Sequence, residues 1–422
     1  MTVDPDGFIG TLLAIEGISD ARAVLNGPTG CRGYPAYLSD RHFHRDCSMG
    51  RSLFGEPFFF GQLRVPCTYI DPDDYIHGST GKLEELLSIM AEKDAALLAV
   101  VNSPGASLIG DDLKRFLAGS HLEAICMAFE SAAYSRPFPE GFDEAIASIL
   151  QWMKLNRLPQ IGKRVNLLGF SMIQKHWQGN VNEIKHLCGL MGLSVVSVPG
   201  AGSSVAELRE STTASCNLVI FPEYCQKTAD FYESEFGIPS VVSPDGAPVG
   251  FSATEKWLLT VSAATGCDAG PALAAIRKHR VHAYHQLSRC HQSGGFPRAA
   301  TFAVRGDSSF VLPLTTWLHE YLGMEPVSLD IMPGEDDRAV SRIRSFLDER
   351  RLPTSVAGAD PFEAGPDLYF GNGLTGRSLL LSGRTRKSVE IFSRPSGDSD
   401  FTQKAFLGGA GALWILDLLF NR

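Results

Sequence analysis

Ala23-Val24-Leu25-Asn26-Gly27-Pro28-Thr29-Gly30-Cys31-Arg32-Gly33-Tyr34 is a short apolar strand that breaks into a glycine turn and delivers one cysteine. Glycines at such a joint let the backbone bend sharply and approach a bulky group. A cysteine placed there can present its sulfur to a metal cluster, or stand as a free thiol in a turn. Ahead of the strand, residues 7–18 set Phe8, Leu12 and Ile15 at helical spacing and stop at Gly17, so a helix feeds the strand. Behind it, residues 32–66 show no clear period and carry Pro57-Phe58-Phe59-Phe60. They read as an irregular segment packed against a partner surface or a cluster.

Past Cys67 the pattern becomes regular. A helix over 81–92, the strand Ala95–Val101, a loop from Asn102, a helix opening at Ile109-Gly110-Asp111-Asp112-Leu113, the strand Leu122–Phe129 and a helix over 142–155 follow one another. Alternating strands and helices specify a parallel sheet. A second unit runs from the strand Arg164–Phe170 through the strands Leu193–Val198, Asn217–Phe221 and Ile238–Val242, with mostly helical chain over 254–290. A third runs through Ala300–Val304, Pro326–Ile331, Ser355–Ala357, Asp367–Phe370 and Ser388–Phe392. The expected architecture is α/β, with three doubly wound (Rossmann-like) domains and parallel sheets. The domains are 1–158 (joined by a C-terminal helix over 405–422), 159–292 and 293–404, with breaks at Pro159, Gly162 and Ser293-Gly294-Gly295. Ligands of open parallel sheets bind at the carboxyl ends of strands. The loops after Leu25, Val101, Phe170, Phe221 and Val304 are therefore where a site is expected.

Composition narrows the function. The chain has 422 residues, 44% hydrophobic and 20% charged, with a formal net charge of -9 and no dense block of Lys and Arg. That balance argues against a nucleic-acid binder and for small-molecule or protein partners. No apolar run is long enough to span a bilayer, and Met1–Asp6 lacks the regions of a secretory leader, so no membrane partner and a cytoplasmic setting are expected. Nine cysteines, an odd number without a framework, suit reduced thiols. Neither a Gly-x-x-x-x-Gly-Lys-Ser/Thr phosphate loop nor a Gly-x-Gly-x-x-Gly after a strand is expected, and with them no ATP hydrolysis or dinucleotide binding by those means.

Three cysteine settings compete for chemistry. Cys31, Cys47 and Cys67 fall in the first domain at spacings that match no single-chain ferredoxin, so a cluster there would be shared between chains. Cys225 follows a strand at a helix start, where the helix dipole favours a thiolate or the thiol simply fills the core. His279, His282, His285 and His291 with Cys290 form the densest group of metal-capable side chains. The intervening Arg277, Lys278, Arg280 and Arg289 make it read equally as a solvated helix.

The turn Gly27-Pro28-Thr29-Gly30-Cys31, then Arg41-His42-Phe43, Ile109-Gly110-Asp111-Asp112-Leu113, and Phe370-Gly371-Asn372 resemble the nitrogenase component 1 family over essentially the whole chain, and its beta-type subunit in particular. No histidine follows His319, so the cofactor-anchoring histidine of alpha-type subunits has no counterpart. The resemblance implies a nitrogenase-like, ATP-coupled reductase subunit that is not nitrogenase itself. A separate iron-sulfur ATPase would pass electrons to an iron-sulfur cluster, 4Fe-4S or larger, shared with a homologous subunit in a heterotetramer or homodimer. The complex would then reduce a small molecule. A non-catalytic scaffold for metallocluster assembly is the alternative. Of the three cysteines each nitrogenase subunit supplies, Cys31 matches the middle one, while the other two positions fall at Asp6 and Pro104. Asp6 stands as a hard ligand, proline cannot coordinate, and Cys67, with Cys47 behind it, is expected to replace what is missing.

Overall fold

The computed structural model describes residues 4–43, 64–91, 95–110, 112–118, 122, 125–131, 133, 135–292, 298–332, 337–356, 360–392 and 401–421. Contacts divide the chain into two compact units, one of Val3–Asn156 with Val198–Glu210, the other of Arg157–Ser197 with Ser211–Arg422.

In the first unit β1 (Ala21–Asn26), β2 (Leu97–Asn102) and β3 (Cys126–Phe129) form a parallel sheet in that order. Parallel strands are covered on both faces and so read as unbroken apolar runs, which is why Leu97–Val101 is buried throughout. Val24, Leu98 and Val100 pack under Leu83, Leu87 and Met90 of the helix Thr80–Ala91 and under Leu113 and Leu117 of the helix Leu113–Ala118. The helix Gly7–Glu16 crosses the helix Phe138–Trp152 backbone to backbone. A Cβ added to Gly141 would lie 2.1 Å from the Gly7 carbonyl oxygen, and one on Gly10 would lie 2.3 Å from that of Phe138.

One element of this unit departs from the sequence-based expectation. Chain expected to be irregular from residue 32 is a helix over Thr29–His42, with Cys31 in its first turn. Gly30, Gly33 and Pro35 are poor helix formers, and the buried set Arg32, Pro35, Ala36, Leu38 and Ser39 is no apolar stripe. Packing therefore makes this helix, and periodicity cannot show it. Residues 44–63, which include Cys47 and Pro57-Phe58-Phe59-Phe60, lie outside the described residues.

The second unit carries two parallel sheets. β4 (Arg164–Leu168), β5 (Ser194–Ser197), β6 (Cys216–Val219) and β7 (Ser240–Val242) take the order β5-β4-β6-β7. β8 (Thr301–Gly306), β9 (Glu325–Ile331), β10 (Ser355–Val356), β11 (Leu368–Asn372) and β12 (Lys387–Phe392) take the order β10-β9-β8-β11-β12. Both sheets are doubly wound, with the strand order reversing between β4 and β6 and between β8 and β11. The chain is thus α/β with three parallel sheets. The helical stretch after residue 250 is two helices, Gly250–Thr265 and Gly270–Gln292, parted at Gly266, whose φ of 69° is left-handed.

Three further corrections fall in this unit. The closing helix, Gly408–Asn421, belongs to it rather than to the N-terminal domain, since Lys387 Nζ donates to the Leu419 carbonyl at 2.7 Å and Gly409 lies against His279. A helix over Gly373–Leu381, unread in the sequence, links β11 to β12. Consequently Gly371-Asn372-Gly373-Leu374-Thr375-Gly376 is a Gly-x-Gly-x-x-Gly that does follow a strand and open a helix. Its last glycine is needed for packing, because a Cβ there would come within 1.8 Å of Ser388 Oγ. Among the described residues no helix is long and apolar enough to cross a membrane.

Candidate metal centre

The carboxyl ends of β1 and β2 are tied by a buried amide network. Register sets Asn26 opposite Asn102, and Asn102 Oδ1 accepts from Asn26 Nδ2 at 2.9 Å. Asn26 Oδ1 in turn accepts from Thr68 Oγ1 at 3.0 Å and Ser79 Oγ at 3.1 Å, while Thr68 Oγ1 accepts from the Gly27 amide at 3.0 Å. Segment 66–70 runs along the free edge of β1: Leu25 N donates to Pro66 O, Thr68 N to Leu25 O and Ile70 N to Gly27 O. Asn26 therefore fixes both the turn that leads to Cys31 and the strand segment that carries Cys67. Replacing Asn26 with Leu strands three buried polar partners, and denaturant unfolding is expected to show a loss of roughly 2 kcal/mol.

Gly27 is required by sterics, since a Cβ would sit 2.6 Å from Ser103 Cβ. Pro28 N-caps the helix and Cys31 follows in its first turn, half-buried, where unpaired amides give a positive field. Burial raises the Cys31 thiol, and the nearby Asp6 carboxylate raises it further. Asp6 is itself the N-cap of the helix Gly7–Glu16, with Oδ1 accepting from the Ile9 amide at 3.1 Å. Burial raises its carboxyl against the lowering effect of those amides. Cys67 is buried, its Sγ 2.8 Å from the Gly27 carbonyl oxygen and accepting from the Tyr69 amide at 3.3 Å. Its thiol is raised chiefly by burial, against the Tyr69 amide and the Arg32 charge, with Cys31 adding to the rise.

The fold thus gathers three of the residues singled out in the sequence into one electrostatic neighbourhood: Asp6 acts on Cys31, and Cys31 on Cys67. Thiolates are the usual ligands of an iron-sulfur cluster, and a carboxylate is a harder oxygen donor beside them. Among the described residues nothing lies within 4 Å of a Cβ added at Gly30 or Gly33, which leaves the backbone beside Cys31 room for a bulky neighbour. Among the described residues no three His, Cys, Asp or Glu side chains converge on a single metal position. Arg32 and Tyr69 also belong to this neighbourhood and are not legible in the sequence, because their roles depend on segment 66–70 lying beside β1.

Of the other settings, Cys225 is buried, N-caps the helix Gln226–Phe236, and turns its sulfur to the Phe221 carbonyl. His282 and His285 are exposed on the helix Gly270–Gln292. The strand-end loops of the second unit engage each other. Glu223 accepts from Ser308 Oγ and the Ser309 amide at 2.7 Å and from Ser309 Oγ at 2.8 Å, and Tyr224 OH donates to Asp307 Oδ1 at 3.1 Å. Lys175, after β4, pairs with Glu390 of β12 at 3.1 Å with both side chains buried. Glu390 holds the place of the acidic residue in a dinucleotide fingerprint, and Lys175 occupies it.

The family model described as nitrogenase component 1 type oxidoreductase matches residues 7–375. The chain belongs to this family. One subunit of the light-independent protochlorophyllide reductase of Halorhodospira halophila is 25% identical over 336 residues, 76% of this chain and 61% of that one, so the chain spans about three fifths of the relative's length. The nitrogenase molybdenum-iron protein beta chain of Azotobacter vinelandii is 24% identical over 466 residues, covering 98% of this chain and 82% of its own. Among solved structures, one titled "Nitrogenase Cp1 at pH 6.5" superposes over 100% of this chain and 93% of its own with a TM-score of 0.79 at 17% identity, a likeness of fold. A nitrogenase beta chain is thus among the oxidoreductases this member of the component 1 family is similar to.

Proposed function

We propose that the chain is one subunit of an ATP-coupled reductase, with one α/β domain per sheet. Electrons come from a separate iron-sulfur ATPase, through an iron-sulfur cluster shared with a homologous subunit, and a small molecule is reduced. The observation that carries the reading is Cys31 in the first turn of the helix Thr29–His42, beside Asp6, in a chain of this family. When bound, the cluster supplies one-electron storage at a potential set by its charge and surroundings. Cys31 binds as the thiolate, helped by the helix N-terminus; Asp6 and Cys67 are the further ligands, and Gly30 and Gly33 leave room for the neighbour. For Cys67 to bind, it must give up the proton shared with the Gly27 carbonyl and turn outward.

Iron content and spectra of the anaerobically purified complex test this. Cys31→Ser is expected to lose most of the bound iron, with smaller losses for Asp6→Ala and Cys67→Ser. Full iron and unchanged spectra in Cys31→Ser would sink the reading, and the same result in Cys67→Ser would strike that residue from the ligand set. Turnover with the reduced ATPase separates a reductase, which consumes a substrate, from an assembly scaffold, which only hands on a cluster.

A further inference from the structure

Arg32 is 8% exposed and makes no ion pair with a carboxylate among the described residues. The contrast within the same unit is Arg64, equally buried, whose Nε meets Glu16 Oε2 at 2.6 Å. Burying a guanidinium without an anion costs several kcal/mol, so such a charge persists where an anion comes to it. What holds Arg32 is Tyr69. Arg32 Nη1 donates to the Tyr69 hydroxyl, and the guanidinium carbon lies 5.6 Å from the centre of the Tyr69 ring. Tyr69 has a φ of 54°, left-handed backbone that a bulky L-residue rarely adopts. In that conformation its amide points at Cys67 Sγ while its ring and hydroxyl hold Arg32. The strained residue thus joins a sulfur and a cation with no carboxylate partner among the described residues, and Arg32 directly follows Cys31 on the same helical turn.

We propose that Arg32 is the counter-charge of an anionic metal-thiolate group anchored at Cys31, locked in place by Tyr69, and that it raises that group's reduction potential. The inference rests on the reading given under Proposed function. Among the described residues no carboxylate calls for a cation there, whereas a cluster ligated by thiolates carries net negative charge and its potential follows the charges around it. A guanidinium suits the place because it stays protonated and keeps further N–H donors for sulfur or carboxylate after Tyr69 takes one.

The test uses the anaerobically purified holocomplex and compares Arg32→Met, Arg32→Lys and Tyr69→Phe with the parent. At a fixed potential in a mediated titration followed by electron paramagnetic resonance, Arg32→Met is expected to lower the reduced-to-oxidised ratio at least tenfold, which is 59 mV for one electron. Arg32→Lys should stay within about threefold, since it keeps the charge, and Tyr69→Phe should fall between. Iron should also leave Arg32→Met faster when a chelator is added. A ratio within twofold of the parent in Arg32→Met, with iron retained, overturns the proposal and leaves the cluster reading standing. So does a variant whose only defect is weaker docking of the ATPase, which would put the missing anion on that protein. If the parent holds no iron, or Cys31→Ser holds as much, the cluster reading has failed and the proposal with it, and iron analysis shows this before any titration.

Discussion

Gly141→Val is expected to unfold the first unit or to cost it more than about 4 kcal/mol, at the top of the range seen for single substitutions. A Cβ at this position would fall 2.1 Å from the Gly7 carbonyl oxygen and 2.4 Å from Gly7 Cα. Both are backbone atoms, so no side chain can swing away to make room. Relief requires the helix Gly7–Glu16 to move off the helix Phe138–Trp152. Phe8, Leu12, Leu13 and Ile15 are buried on that first helix, and separating the pair would re-expose them at about 25 cal/mol per Å² of apolar surface. The effect reaches the candidate centre, because Asp6 caps the end of the helix that must move and acts on Cys31. Two measurements check it: thermal unfolding of the full chain, and bound iron in whatever folded fraction survives. Gly162→Val is the control. Nothing among the described residues lies within 4 Å of an added Cβ there, and its backbone is not left-handed, so its melting temperature should match the parent's.

The parallel sheets were legible because a strand buried on both faces writes itself as an apolar run, as Leu97–Val101 does. The place of Cys31, just past the end of β1, was legible because a glycine turn follows an apolar run. The helix around it was not. Gly30, Gly33 and Pro35 argue against a helix locally, and the buried Arg32 and Ser39 break the stripe that would reveal one. The helix Gly373–Leu381 was missed for a related reason: nine residues with three glycines in the run before and within it look like a loop until β11 and β12 are known to be neighbours. Asn26 and Arg32 are invisible for a different cause. Their partners, Asn102, Thr68 and Tyr69, lie at distances set by register and by segment 66–70 lying along β1, and neither is written in local composition.

Asp307→Asn is expected to stabilise the second unit at neutral pH by about 1 kcal/mol or more, as relief of a buried charge repelled by a neighbouring carboxylate, with a gain that vanishes in acid. Asp307 directly follows β8 at the point where the five-stranded order reverses, is 1% exposed, and has its carboxyl held well above the ordinary carboxylate range. Burial is the main cause and the charge of Glu223 the second, opposed by the hydrogen bond from Tyr224. The sign follows from proton counting. Between the unfolded value near 3.9 and the higher folded one, the folded chain holds a proton that the unfolded chain has lost. Stability contributed by Asp307 is therefore complete below about pH 4 and drains away as pH rises through that window. Asn keeps the shape and can still accept from Tyr224, but never ionises. Denaturant midpoints of parent and variant should converge near pH 4 and separate steadily above it, and parallel curves from pH 4 to pH 8 would show that Asp307 ionises as freely in the folded chain as in the unfolded one. Glu223 explains why the arrangement persists despite that cost: its carboxylate holds the Ser309 amide and both serine hydroxyls at the start of the helix Ser308–Leu322. The loops after β6 and β8, where an open sheet ordinarily receives its ligand, are thereby clamped to each other by side chains of this chain itself.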